Sequence, residues 1–150
     1  MDDYKRAYED VNLDVIKNNV DIIMKRTKPG TKALIVVKAD AYGHGDVPVA
    51  RALESRADYF AVATGPEAIN LRENGITKPI LILGFVAYEE YEDLINNDVD
   101  LVIFDKESAD ALSEAAKKIG KTAKCHVKVD TGMRRIGVEP VKESVEIVKY

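Results

Sequence analysis

The chain has 150 residues, of which 46% are hydrophobic, and its formal net charge is -4. This composition is typical of one globular domain and argues against an intrinsically disordered chain, in which hydrophobic content is low and net charge is large. The mild negative charge also argues against nucleic acid as a main partner, because phosphate contacts need clustered lysines and arginines.

The sequence carries no sign of secretion or membrane insertion. Cys125 is the single cysteine, so no intramolecular disulfide can form and a reducing compartment is expected. The first six residues are polar and lack the apolar run of a signal peptide, and no segment approaches the roughly 18 apolar residues of a membrane span. We therefore expect a cytoplasmic location.

The chain opens with a predicted amphipathic helix, for which Asp14 is the expected N-cap and Lys28-Pro29-Gly30 the end. Five short apolar segments follow, as expected of parallel strands buried on both faces: residues 33–37, 59–63, 80–83, 101–104 and 125–129. The helical patterns between them cover residues 47–54, 66–74, 88–96 and 106–119. Asp46 is the expected cap of the first of these, and Gly75 and Gly120 follow the second and the fourth.

Alternating strands and helices predict an α/β fold with a parallel sheet. By length alone, 150 residues fit a complete flavodoxin-like domain. A (β/α)₈ barrel of the TIM type needs roughly 200–250 residues, so the chain would hold only about the first five of its eight βα units. Val141, Val145 and Val148 predict a further helix that is interrupted at Tyr150, and we expect the chain to be part of a longer domain.

In parallel α/β folds functional residues collect at the carboxyl ends of strands, which directs attention first to residues 36–45. Lys38 ends the first apolar segment, where its ammonium group must be partly desolvated. Desolvation favours the neutral amine, the form that a Schiff-base lysine requires. In the alternative interpretation, Lys38 extends from the strand end into water.

The second such segment covers residues 126–137 and begins with visible alternation. Cys125, Val127 and Val129 face one way, and the polar residues His126, Lys128 and Asp130 face the other. In a barrel the polar set would line the interior near the mouth, where a lysine must be paired or modified because an isolated buried charge is too costly. Alternatively, this segment is an edge strand with one solvated face.

Other candidate sites are weaker. Gly43 and Gly45 resemble the start of a dinucleotide fingerprint, but Pro48 occupies the place of the third glycine, so we expect the glycines to shape a strand-to-helix turn. His44 and His126 are the only histidines and lack metal-site spacing, which favours surface or hydrogen-bonded roles. Cys125 is interpreted as a small core residue.

Taken together, the two segments resemble the alanine racemase family. The sequence Val-Lys-Ala-Asp-Ala-Tyr-Gly-His-Gly at residues 37–45 is similar to that family's cofactor-lysine signature. The sequence Lys-Val-Asp-Thr-Gly-Met at residues 128–133, followed by Arg135 and Gly137, is similar to a second block of the family. Residues 12–14 and the helix after them match the family's N-terminal entry. The resemblance implies a truncated (β/α)₈ barrel and makes Lys38 a cofactor residue.

The resemblance also implies residue roles. Lys38 would bind pyridoxal 5'-phosphate covalently and act as one acid/base, and Tyr42 would donate a hydrogen bond to the cofactor phosphate. Arg135 would hydrogen-bond the pyridine phenolic oxygen and help to place the substrate. Lys128 would be carbamylated, which turns a cation that faces Arg135 into an anion. Arg134 stands where many relatives carry a small residue.

The implied activity is the interconversion of L-alanine and D-alanine, which supplies D-alanine for the bacterial cell wall. Racemisation needs a second base opposite Lys38, and in this family a tyrosine from the partner subunit's C-terminal domain supplies it. We therefore expect a homodimer at full length and no activity from these 150 residues alone. Open strand edges also predict self-association of the chain.

Three alternatives compete with this interpretation. A racemase of broad specificity or for serine would share the same lineage, and a non-catalytic barrel protein would bind pyridoxal phosphate for homeostasis. A flavodoxin-like receiver domain would instead need an acidic pair after the first strand and an aspartate after the third. Lys38 and Gly84 occupy those places.

Overall fold

Strands that are neighbours along the chain are also neighbours in space. In the computed structural model, which describes residues 8–141 and 144–150 without the side chains of Val145 and Val148, five parallel strands form one sheet in the order β1-β2-β3-β4-β5. The strands are β1 (Leu34–Val36), β2 (Tyr59–Val62), β3 (Ile80–Ile82), β4 (Val99–Ile103) and β5 (Cys125–Val127).

Helical segments precede, connect and follow the strands. The helices are α1 (Leu13–Lys25), α2 (Lys38–Tyr42), α3 (Asp46–Leu53), α4 (Gly65–Glu73), α5 (Tyr91–Asn96), α6 (Lys106–Lys118) and α7 (Val145–Lys149), and a 3₁₀ turn covers Tyr88–Glu90. Within the described ranges, no helix combines the length and the apolar character needed to cross a membrane.

The strand order decides between the two folds that the sequence left open. A flavodoxin-like sheet has the order 2-1-3-4-5, because its chain reverses direction after the first crossover. Here each new strand is added to the same edge of the sheet, as in a barrel. The prediction of a (β/α)₈-type barrel present as its first five units is therefore confirmed, and the flavodoxin-like interpretation is wrong.

The two faces of the sheet have different surroundings. One face packs against the helices and contributes the largest buried side chains, among them Phe60, Ile80 and Leu101. The opposite face forms the barrel interior. There His126 contacts Asp100 and Lys128 contacts the end of β3, so these two members of the predicted polar set face inward.

Two helix starts differ from the prediction by one or two residues. Asn12, and not Asp14, caps α1, because its Oδ1 accepts hydrogen bonds from the backbone N–H groups of Asp14 (3.0 Å) and Val15 (3.1 Å). Asp46 is the first residue of α3 and not its cap, which is Gly45. At α1 two neighbouring polar residues compete for one capping position, whereas Gly45 precedes α3 without a side-chain cap.

The strand β4 begins at Val99, two residues before the predicted start. The reason is Asp100, which interrupts the apolar run in the sequence although its side chain is only 3% exposed in the structure. Helix boundaries also shift by one residue in α3, α4 and α6, which is the usual uncertainty of helix ends.

The interpretation of Cys125 as a core residue is wrong, since its thiol-bearing side chain is exposed. β5 lies at an edge of the described sheet, and a groove lined by Cys125, Leu112 and Ala116 lies between it and α6. The predicted apolar face of the last helix comprises Val141, Val145 and Val148. Val141 is exposed, and the side chains of Val145 and Val148 lie outside the described residues.

Candidate functional site

Lys38 follows β1 by two positions and lies at the carboxyl end of the sheet. Its side chain is half-buried, and its Nζ lies 5.8 Å from the centre of the Tyr42 ring. That distance permits a cation–π contact. Tyr42 itself is 62% exposed. The structure thus brings together two of the four predicted site residues.

The backbone that follows Lys38 is left-handed. Ala39, Asp40, Ala41 and Tyr42 all have φ between 51° and 58°, so α2 is a left-handed turn and not an ordinary helix. Each non-glycine residue in this region costs roughly 1–2 kcal/mol. Such a turn persists only when surrounding contacts hold it, and strain of this kind clusters at functional sites.

The turn ends in two glycines, as the sequence predicts. Gly43 and Gly45 have φ of 89° and 86°, and both contribute N–H groups that close the turn onto the carbonyl oxygen of Asp40. The exposed His44 lies between them, and its Nδ1 is 3.1 Å from the carbonyl oxygen of Ala41. The predicted hydrogen-bonded surface role of His44 is confirmed.

Side chains from three elements hold the left-handed turn in place. The N–H of Ala39 donates to Oε1 of Glu67 on α4 at 2.8 Å. The N–H of Asp46 donates to Oδ1 of Asp40 at 2.9 Å, and Asn70 donates from Nδ2 to the Asp46 carboxylate at the same distance. The turn is therefore fastened at its start by Glu67 and at its end by Asp40.

Glu67 also binds the carboxyl end of β2. Its Oε2 accepts hydrogen bonds from the backbone N–H groups of Ala63 (2.7 Å) and Thr64 (3.2 Å). One carboxylate thus receives three backbone donors from two adjacent strand ends. The sequence contained a signal for half of this role, because Thr64 and Glu67 have the spacing of a helix capping box, but the contact with Ala39 was not predictable.

Lys128 reaches across the barrel mouth from β5 to β3. Its Nζ donates a 2.8 Å hydrogen bond to the carbonyl oxygen of Leu83. Partial burial lowers the pKa of the Lys128 ammonium group, the Arg135 guanidinium lowers it further, and Asp130 acts in the opposite direction. Lys128 is therefore closer to its neutral form than an ordinary surface lysine.

Arg135 lies on an ordered loop after β5. Asp130 accepts hydrogen bonds from the N–H groups of Gly132 (2.8 Å) and Arg134 (3.0 Å), and these donors hold the pKa of its carboxyl group below the usual range. Arg134 adopts φ of 55°, a conformation that suits a small residue better than arginine. A Cβ at Gly137 would lie 2.7 Å from the backbone nitrogen of Asp130, so the loop closes tightly there.

The exposed Arg135 side chain is close enough to Lys128 to affect its pKa. Among the described residues, however, no hydrogen bond or ion pair joins Lys38 or Tyr42 to Lys128 or Arg135. The predicted site therefore consists of two pairs at the same end of the sheet, one after β1 and one after β5.

A second polar group lies deeper in the barrel interior and was missed by sequence reasoning. Tyr59 donates a 2.8 Å hydrogen bond to Oδ2 of Asp100, and Nε2 of His126 lies 3.2 Å from the same oxygen. The hydrogen bond to Asp100 is the main cause that raises the pKa of Tyr59. Among the residues that the structure describes, none is a hydrogen-bond partner of the buried Asp100 Oδ1 atom. The alternation of β5 predicted the inward position of His126, but nothing in the sequence paired it with Asp100.

The side chains at the mouth have the chemistry that pyridoxal phosphate requires. Lys38 offers a primary amine for the aldehyde, and Tyr42 and Arg135 offer hydrogen-bond donors for the phosphate and the phenolic oxygen. The amine is half-buried beside an aromatic ring, and both donors are exposed. The donor set therefore fits this cofactor.

Comparison with known proteins supports the same family. Residues 11–150 match the family model described as "Alanine racemase, N-terminal domain". The chain is 46% identical over 143 residues to alanine racemase of Methanococcus maripaludis, which covers 95% of this chain and 38% of that protein. It is 43% identical over 147 residues to alanine racemase 2 of Oceanobacillus iheyensis, covering 97% of this chain and 38% of that one.

Solved structures agree with the sequence comparison. Alanine racemase of Clostridium difficile in complex with cycloserine superposes with a TM-score of 0.85 at 45% identity, covering 92% of this chain and 38% of that one. The Bacillus anthracis enzyme with bound L-Ala-P gives a TM-score of 0.80 at 42% identity, with 91% and 36% covered. The chain thus spans less than two fifths of these relatives, and over that span it belongs to the alanine racemase N-terminal domain family.

Proposed function

We propose that this chain is the cofactor-lysine part of a pyridoxal-phosphate-dependent enzyme that interconverts L-alanine and D-alanine, a supply route for the cell wall. The observation that carries the proposal is the position of Lys38, a half-buried amine at the carboxyl end of β1 beside the Tyr42 ring. The relatives named alanine racemase, and the cycloserine and L-Ala-P complexes among them, support alanine as the substrate.

The chemistry divides between the cofactor and the chain. Bound pyridoxal phosphate withdraws electrons from the amino acid and acidifies its Cα proton. The Lys38 amine accepts or returns that proton on one face of the substrate. We assign the opposite face to a tyrosine of a C-terminal domain of the partner subunit. The isolated 150-residue chain is then expected to be inactive in racemisation.

The other residues at the barrel mouth bind the cofactor and orient the substrate. Tyr42 donates its hydroxyl hydrogen to the cofactor phosphate, and Arg135 donates to the phenolic oxygen and helps to place the substrate. We propose that Lys128 is carbamylated: its neutral amine attacks carbon dioxide, an N–C bond forms and one proton is released. The lowered pKa of Lys128 supports this step, since only the neutral amine is nucleophilic. The resulting anion orients Arg135.

The open edges of the sheet support self-association of this chain. β1 and β5 each have one strand neighbour, and Leu34 on β1 is 43% exposed. Such edges favour pairing with another chain. We propose a homodimer for the full-length protein, self-association for this chain and a cytoplasmic location. Light scattering that shows a strict monomer at high protein concentration would contradict the self-association.

The cofactor proposal is tested by absorbance of the purified chain with pyridoxal phosphate. We expect a band that borohydride abolishes and that Lys38→Ala removes. Lys106 provides a matched control, because its Nζ also lies over a tyrosine ring, 5.0 Å from the centre of Tyr150. Lys106→Ala is expected to keep the band. Equal loss in both variants would reject Lys38 as the cofactor residue.

A further inference from the structure

The peptide bond after Lys38 is fastened to the neighbouring strand end by one carboxylate. Ala39 is the first residue of the left-handed turn, and its N–H donates to Glu67 at 2.8 Å. Glu67 itself is fixed by the N–H groups of Ala63 and Thr64, at 2.7 and 3.2 Å. The Lys38–Ala39 peptide is thereby held to the end of β2 as well as to its own strand.

The end of β2 is in turn tightly packed against β3. A Cβ on Gly84 would overlap the carbonyl oxygen of Ala63, so these two backbones approach as closely as atoms permit. Leu83 precedes Gly84 and accepts the hydrogen bond from Lys128. Glu67 therefore joins the backbone at Lys38 to a rigid rim formed by the strand ends β2 and β3.

Few other contacts could replace Glu67 at this position. The Ala39 N–H donates to Glu67, whereas the Ala41 N–H donates to the carbonyl oxygen of Val37 and the Gly43 N–H to those of Ala39 and Asp40. An uncharged side chain offers a single acceptor oxygen and cannot serve both strand ends. The negative charge of Glu67 also strengthens these hydrogen bonds, since a carboxylate binds backbone N–H donors more strongly than a neutral acceptor does.

We propose that Glu67 is a positioning residue for Lys38: by holding the N–H of Ala39, it sets the direction in which the Lys38 amine enters the barrel mouth. This inference rests on the proposed function, because Lys38 must be the cofactor residue for its direction to matter. Glu67 contacts neither substrate nor cofactor in this account. It acts through the backbone.

The experiment compares Glu67→Gln with two controls in the 150-residue chain. Gln has the same shape but one acceptor oxygen, and its amide hydrogens would face a backbone donor. Glu73→Gln removes a charge from the exposed side of the same helix. Asn12→Ala removes the α1 cap, which takes no part in the Glu67 hydrogen bonds, and lowers stability. We would measure the rate at which pyridoxal phosphate forms an adduct with Lys38, trapped by borohydride, and the thermal unfolding of each variant.

We expect Glu67→Gln to form the adduct roughly 10- to 100-fold more slowly, the range that a small misplacement of a reacting group produces. Both controls are expected to keep the wild-type rate, and the slowing must persist well below the unfolding transition of the variant. A wild-type rate in Glu67→Gln overturns the inference. So does an equal slowing in Asn12→Ala, which would show that the rate follows stability alone.

Amide hydrogen exchange of Ala39 in the cofactor-free chain separates this inference from the proposed function. We expect protection in the wild type and its loss in Glu67→Gln. An unprotected Ala39 in the wild type overturns the inference while leaving the cofactor role of Lys38 intact. A wild-type chain that forms no adduct at Lys38 overturns the proposed function, and the positioning role with it.

Discussion

Lys128 on the last strand and Leu83 after the third strand are joined by a 2.8 Å hydrogen bond from Nζ to the carbonyl oxygen. This bond crosses the barrel mouth over the end of β4 and places a half-buried amine beside Arg135. Both the burial and the guanidinium favour the neutral amine. These features support the proposed reaction of Lys128 with carbon dioxide.

Carbamylation of Lys128 is expected to depend on Arg135. With ¹³C-labelled bicarbonate, the wild type should show a carbamate carbon signal by NMR that Lys128→Gln removes. Arg135→Gln removes a cause of the lowered pKa, so the signal should appear at higher pH than in the wild type. Arg134→Gln, at the exposed neighbouring position, should leave the pH dependence unchanged. An unchanged signal in Lys128→Gln would contradict the assignment.

The lowered pKa of Lys128 also predicts how stability varies with pH. Between the folded-state pKa and the usual value of 10.5, the unfolded chain binds more protons than the folded chain. The free energy of unfolding contributed by Lys128 therefore rises as pH increases through that window. In urea denaturation, the free energy of unfolding of the wild type minus that of Lys128→Met should increase as pH rises through this window. A pH-independent difference would show that the pKa is not lowered.

Tyr59 is expected to stabilise the barrel interior through Asp100. Tyr59→Phe would remove a donor from a buried carboxylate whose other oxygen has no partner in the part of the chain that the structure describes. We expect the free energy of unfolding in urea to fall by roughly 1–3 kcal/mol. Tyr88→Phe is the control, because Tyr88 packs against Phe85 and Tyr91. It should change stability by less than about 0.5 kcal/mol. Equal effects of the two substitutions would contradict a specific role for the Tyr59–Asp100 bond.

Two glycines give a matched test of backbone packing at the strand ends. A Cβ on Gly84 meets the backbone oxygen of Ala63, whereas one on Gly65 meets the carboxylate end of the Glu90 side chain. We expect Gly84→Ala to cost roughly 1–3 kcal/mol, as overpacking against rigid atoms does. Gly65→Ala should cost less, since Glu90 can rotate away. Thermal unfolding that ranks the two variants in the opposite order would contradict the close approach of β2 and β3.

The start of α1 tests a point on which sequence and structure disagree. Asn12→Ala removes the acceptor of two backbone N–H groups and should cost about 1 kcal/mol. Asp14→Ala removes only an exposed ion pair with Lys17 and a favourable charge near the helix start, so its effect on urea unfolding should be smaller. A larger effect of Asp14→Ala would restore Asp14 as the cap.

Apolar periodicity and strand-end rules were sufficient to predict the parallel α/β class, the five strands and the polar face of β5. They could not choose the strand order, because βα units of similar length build both barrels and open sheets. They also failed at β4, where Asp100 breaks the apolar pattern yet is buried by tertiary contacts with Tyr59 and His126.

The left-handed turn shows a second limit. Gly43 and Gly45 predicted a turn, but the positive φ of residues 39–42 was not predictable, because non-glycine residues disfavour the left-handed conformation. Those residues are held by the Asp40–Asp46 contact and by Glu67. Glu67 is 28 residues from Ala39 in the sequence, and the two meet only in the fold. Lys38 was therefore identifiable from sequence, and the contacts that position it were not.

The most direct test of the central claim is peptide mapping of the borohydride-reduced chain by mass spectrometry after incubation with pyridoxal phosphate. Lys38 and Lys128 both present amines at the barrel mouth, and Lys128 is the one with the lowered pKa. We expect the pyridoxyl group on Lys38, with Lys128 unlabelled. Labelling of Lys128, or labelling spread over the surface lysines, would contradict it.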